Sequence, residues 1–86
     1  MLEQTPHNYF LEFTSSYDNI RVILEEYGYT KSKFDADDSV FFEKDGTLIP
    51  VYNSDTIYYT YLLILSENAK ISKHDFIASL SVLNKK

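Results

Sequence analysis

Two histidines, a run of aspartates and a scatter of lysines are the side chains of this 86-residue chain with the means to do chemistry. His7 and His74 stand far apart, and neither has a partner at a spacing that would make a base–nucleophile pair. His74 falls among lysines in what reads as the first turn of the last helix, a solvated position. Asp35, Asp37 and Asp38 are of the type that holds a hard cation such as calcium or magnesium. Their loop lacks the other ligands and the glycine of a calcium hand, so a solvated acidic turn is the expectation and no metal is assigned. Lys70, Lys73 and His74 could meet a phosphate at a helix N-terminus, but a few scattered bases make a weak patch. With no cysteine anywhere, disulfides, thiolate metal sites and a cysteine nucleophile are excluded. No catalytic residue and no cofactor is expected, and the chain reads as a non-enzyme.

Tyrosine is the surplus. Eight occur: Tyr9, Tyr17, Tyr27, Tyr29, Tyr52, Tyr58, Tyr59 and Tyr61. More aromatic surface is present than one small core face uses, and tyrosine near acids suits a protein interface. The net charge of −5 is uneven. Residues 1–67 hold twelve acids against four bases, and residues 68–86 hold one acid against four lysines. An acidic body repels phosphate, which argues against direct nucleic-acid binding and for a basic protein partner. The plainer alternative is that the acids keep a tyrosine-rich chain in solution. The candidate partner-binding residues are Asp35, Asp37, Asp38, Phe41, Glu43, Leu48, Tyr58 and Tyr59.

The elements that must position them centre on residues 39–52. Two runs of β-branched and aromatic residues flank Asp45-Gly46, the signature of a two-residue type I′ hairpin turn. That turn sets Lys44 opposite Thr47, Phe42 opposite Ile49 and Val40 opposite Val51. Val40, Phe42, Ile49 and Val51 then form one apolar face, while Phe41, Glu43, Leu48 and Pro50 fall on the other. Pro50 donates no hydrogen bond and so belongs at a sheet edge. Upstream, Ser15-x-x-Asp18 resembles a capping box, and Ile20, Ile23, Leu24 and Tyr27 make a helical stripe over about 16–27. Gly28 is placed to end that helix. Residues 29–34 read as a strand and residues 35–38 as the turn into the hairpin. Residues 55–67 have the composition of a strand but also an i, i+4, i+7, i+8 stripe of Ile57, Tyr61, Ile64 and Leu65, capped by Ser54 or Asp55; helix is preferred. Ser72-x-x-Asp75 caps a last helix buried through Phe76, Ile77, Leu80 and Leu83. Thr5-Pro6 resembles an N-cap with proline at the first helical position, which would set Tyr9, Phe10 and Phe13 on one helical face. A short strand over residues 8–13 is the alternative, and residues 8–13 would be able to cover the second sheet face.

The whole is a single α+β domain over residues 1–86: helix, three antiparallel strands with the Asp-Gly hairpin at the centre, then one or two helices. Its longest apolar run, Ile57 to Leu65, is too short to span a bilayer, and residues 1–7 lack the layout of a secretory signal. A cytoplasmic protein is expected.

Glu26-Tyr-Gly28-Tyr, Phe41-Phe42, Leu48-Ile-Pro-Val51, Ile64-Leu65, Ala69, Ile71-Ser72 and Phe76 together resemble the pattern of the HicA/YcfA-type small toxins. That family has a fold related to double-stranded-RNA-binding domains, and the resemblance spans about residues 17–80. It implies an RNA-directed toxin–antitoxin component. Asp37, Asp38 and Ser39 stand where the family has Gly-Ser-His, so the proton-shuttling histidine is replaced by a serine. The resemblance therefore implies a degenerate, RNA-binding relative without ribonuclease activity, relying on Lys31, Lys33, Lys70 and Lys73. In size and charge the chain is also similar to small inhibitors from mobile elements, of the anti-CRISPR or anti-restriction type, that act on a basic nucleic-acid enzyme. The leading expectation is such an acidic protein-binding module or nucleic-acid decoy. Self-association through the hairpin edge or second sheet face is compatible with both readings.

Overall fold

Asp45 and Gly46 both take positive φ, 50° and 85°, and the turn they make fixes the register on which the rest of the structure is built. The computed structural model describes residues 13–85. In chain order the elements are β1 (Thr14–Ser15), α1 (Tyr17–Glu26), β2 (Thr30–Asp35), β3 (Ser39–Lys44), β4 (Thr47–Tyr52), β5 (Ile57–Tyr58), α2 (Tyr59–Asn68) and α3 (Lys73–Asn84). The protein is α+β, with a three-stranded antiparallel sheet in the order β2-β3-β4 and a separate antiparallel pair, β1 with β5. The β1–β5 pair was not anticipated from the sequence, and residues 8–12, with their helix-or-strand reading, lie outside the described residues.

The hairpin pairs Lys44 with Thr47, Phe42 with Ile49 and Val40 with Val51, as its turn chemistry requires. Phe42, Ile49 and Val51 are fully buried. Against them pack Ile20, Ile23 and Leu24 of α1, Leu62 and Leu65 of α2, and Phe76 and Leu80 of α3. Each such side chain contributes about 1.5–3 kcal/mol on leaving water. Pro50 lies in β4, an edge strand, where its missing N–H costs no ladder bond. β2, the other edge, is irregular: Lys31 faces Phe42 but Asp35 faces Val40. Within that irregularity the buried Ser32 accepts a hydrogen bond from the Phe34 N–H at 3.2 Å, a side chain standing in for a strand partner.

The helix ends follow local chemistry, with two shifts from the sequence reading. α1 is capped by Ser16, whose Oγ accepts from the Asn19 N–H at 3.4 Å. Ser15, the expected cap, lies instead in β1. Its Oγ donates to Asn84 Oδ1 at 3.0 Å, so a tertiary bond replaces the local one. At the far end Gly28, with φ 96°, lets the Tyr29 N–H reach the Leu24 carbonyl at 3.0 Å. α2 starts later than Ser54 or Asp55 would set it. Ile57 and Tyr58 pair with β1 first, and Tyr58 occupies the cap position without a side-chain hydrogen bond. This delay rotates the buried stripe: Leu62, Leu65 and Ser66 face inward, and Ile64 stays half exposed. α3 matches its capping box, with Ser72 Oγ accepting from the Asp75 N–H at 3.4 Å.

Candidate interaction surface

Strand alternation decides what the other side of the sheet presents. Ser39 faces Tyr52, Phe41 faces Pro50 and Glu43 faces Leu48, and each pair points away from the Phe42–Ile49 core side. Phe34, one residue before the Asp35–Val40 pair, alternates onto the same side as Phe41. Phe34 is 65% exposed, Tyr52 47% and Leu48 43%, while Phe41 and Pro50 are half-buried beside them. Among the described residues, this apolar sheet side has no second layer over it comparable to the three helices on the first.

Aromatic packing from α2 finishes one border. Tyr61 stacks on Tyr52 with ring centroids 4.7 Å apart, and its hydroxyl donates to the Pro50 carbonyl at 2.8 Å. Burial, and then the neighbouring Tyr52 phenol, push the Tyr61 phenol above its ordinary value. The β4 edge is therefore occupied at Pro50 on both counts, with no N–H to offer and its carbonyl taken. Acids frame the sheet lengthwise. Asp37 and Asp38 are exposed in the β2–β3 connection, which is held by the Asn53 N–H donating to the Asp38 carbonyl at 2.9 Å. Ser39 Oγ donates to Asp38 Oδ1 at 3.4 Å. Glu43 is exposed toward the hairpin turn. Among the described residues Arg21–Glu25, at 3.2 Å, is the ion pair within reach, and neither Asp37, Asp38 nor Glu43 takes part in one.

The sequence-derived set thus divides in two. Phe41, Glu43 and Leu48 share one sheet face, with Asp37 and Asp38 at its end and the Asp35 backbone paired to Val40. Tyr58 and Tyr59 belong elsewhere. Tyr58 is 62% exposed beside Thr14, and the Tyr59 ring meets Phe13 edge-on at 6.3 Å. Tyr59 also lines a cleft of about 370 Å³ with Lys73, His74, Ile77 and Ala78. Phe34 and Tyr52 were not singled out for the surface. Both follow from alternation: Phe34 lies four residues after Thr30, which faces Glu43, and Tyr52 follows from the hairpin register.

A second cluster joins two helix ends. Tyr29 is buried and its hydroxyl donates to the Ala69 carbonyl at 2.8 Å. Lys44 Nζ donates to the Tyr27 carbonyl at 2.7 Å and lies 5.4 Å from the Tyr29 ring centre. Carbonyls at the C-terminal ends of α1 and α2 carry partial negative charge, so the contacts read as structural ties. Among the described residues, no group of three or more histidine, aspartate or glutamate side chains is arranged to hold a metal. No helix there is long and apolar enough to cross a membrane. Comparison with protein families, with curated proteins and with solved structures finds no match to this chain.

Proposed function

We propose that this protein is a non-enzymatic binding module whose sheet face, left uncovered among the described residues, engages a basic partner protein, such as a nucleic-acid-binding enzyme. The observation that carries the reading is the exposure of Phe34, Leu48 and Tyr52 on one sheet side, flanked by Asp37, Asp38 and Glu43 without ion-pair partners among the described residues. Contiguous apolar surface of this kind marks interaction sites in stable small proteins. Its acidic surround favours cationic partners and hastens encounter with them. The same acids disfavour phosphate, which separates this face from aromatic sheet platforms that stack nucleic-acid bases.

The test compares the wild-type chain with the Phe34→Ser/Leu48→Ser double variant as immobilised bait in a lysate of the source or its host, with and without nuclease treatment. The expected result is a basic protein held by the wild type, released by about 0.5 M salt, and lost by the double variant with its circular dichroism unchanged. RNA retained instead, and lost on nuclease treatment, would overturn the reading in favour of the RNA-binding relative.

A further inference from the structure

From the shape of the face left uncovered among the described residues and the state of its two edges, we infer that the partner element it receives is an amphipathic α-helix with basic flanks, laid along the strands. This rests on the protein-binding reading above and narrows it to a kind of partner segment.

The edges exclude strand addition. Extending a sheet needs a row of free N–H and C=O groups on a regular edge. On β4, Pro50 has no N–H and its carbonyl accepts from Tyr61. On β2, the register breaks between Lys31 and Asp35, and the Phe34 N–H is taken by Ser32 Oγ. Edge lysines and irregularities of this kind are what keep strands from pairing with other chains. A partner must therefore lie on the face.

A helix fits that face in both directions. Two strand spacings across β2, β3 and β4 make about 10 Å, close to the width of one helix with its side chains. A six-residue strand runs about 20 Å, the length of roughly 13 helical residues. The chain itself covers the opposite side with helices, through Ile20, Ile23 and Leu24 of α1, Leu62 and Leu65 of α2, and Phe76 and Leu80 of α3. The apolar centre of Phe34, Phe41, Leu48 and Pro50 calls for an apolar stripe. Asp37 and Asp38 at one end and Glu43 toward the other call for lysine or arginine beside that stripe. A second copy would bring Glu43 and the aspartates of one face against those of another, within a chain of net charge −5.

The experiment titrates the isotopically labelled protein with two synthetic 14-residue helices that share one Leu/Phe stripe. One carries Lys and Arg on its flanks and the other Glu. Expected are amide shifts at Phe34, Phe41, Leu48 and Tyr52, a preference of at least about tenfold for the basic helix, and loss of most of that preference in Asp37→Asn/Asp38→Asn/Glu43→Gln. Equal binding of the two helices, or shifts centred instead on Ile77 and Ala78 in the α2–α3 cleft, would overturn the inference. So would silence with both helices while lysate capture still depends on Phe34 and Leu48; that result rejects the helix and keeps the binding reading. Capture indifferent to Phe34 and Leu48 would reject the binding reading itself.

Discussion

Tyr29 shows how one side chain holds several elements in place. Its ring is 5% exposed, its hydroxyl joins the Ala69 carbonyl at the end of α2, and its backbone N–H closes the end of α1 on Leu24. Removing the hydroxyl strands a buried carbonyl, so Tyr29→Phe is expected to cost about 1–2 kcal/mol in urea unfolding at neutral pH. The same residue governs behaviour in alkali. Burial, and after it the charge of Asp45, raise the Tyr29 phenol above its ordinary value. Burial likewise leads in raising Tyr17 and Tyr61. An unfolded chain ionises these phenols near pH 10, whereas the native state holds their protons longer. Their contribution to stability is thus complete below about pH 10 and is lost as pH rises through the folded-state values. Tyr29→Phe, though less stable at pH 8, is expected to lose less stability between pH 8 and 11 than the wild type. Equal losses in urea midpoint over that range would show that Tyr29 does not carry the effect.

Elements differ in how far their own residues specify them. The β3–β4 hairpin was legible in full because Asp45-Gly46 demands one turn type, and that turn fixes every pair from Lys44–Thr47 to Ser39–Tyr52. α3 was legible because Ser72 and Asp75 close its first turn without outside help. The start of α2 was not, because Ile57 and Tyr58 are drawn into a strand by β1, a partner more than forty residues away in sequence. Ser15 was misassigned for the same reason: its hydroxyl donates to Asn84 of α3 and accepts from the Asn19 side chain, and it caps no backbone N–H of α1. The candidate surface was legible through Phe41, Glu43 and Leu48, whose side follows from hairpin register. Phe34 shares that side by alternation from Thr30, which faces Glu43; what no local pattern announces is the bulge that sets it beside Phe41. The β1 attachment is itself testable. Asn84 accepts from Ser15 Oγ and from Asn19 Nδ2 at 3.0 and 2.9 Å, and donates to the Thr14 carbonyl at 2.8 Å. Asn84→Ala is expected to cost about 1–2 kcal/mol. Amide exchange should accelerate at Thr14, Ser15, Ile57 and Tyr58 while β3 and β4 stay protected; uniform acceleration would mean the clamp is part of the global core instead.

For the molecule as a whole, an apolar sheet face and an acidic charge act against each other. Exposed Phe34, Leu48 and Tyr52 favour association with any apolar surface, including the same face of another copy. The net charge of −5 opposes that pairing at neutral pH, and Asp37, Asp38 and Glu43 concentrate the repulsion beside the apolar residues. Near the sequence isoelectric point of about 4.8 the repulsion fades, while the apolar contact is unchanged. Sedimentation at pH 7.5 is therefore expected to show a monomer, and at pH 5 a dimer or larger species. Because the driving surface is the sheet face, Phe34→Ser/Leu48→Ser should remain monomeric at both values. Raising salt at pH 7.5 should move the wild type partway toward association, since screening weakens like-charge repulsion more than apolar contact. A double variant that associates at pH 5 as strongly as the wild type would place the contact elsewhere, for instance on Ile64 and Val82, the half-exposed apolar residues of α2 and α3. A wild type that stays monomeric both at pH 5 and in raised salt would mean that charge is not what keeps this face open. The basic flanks assigned to its partner would then lose their physical reason, because those flanks are called for by the same acids that hold two copies apart.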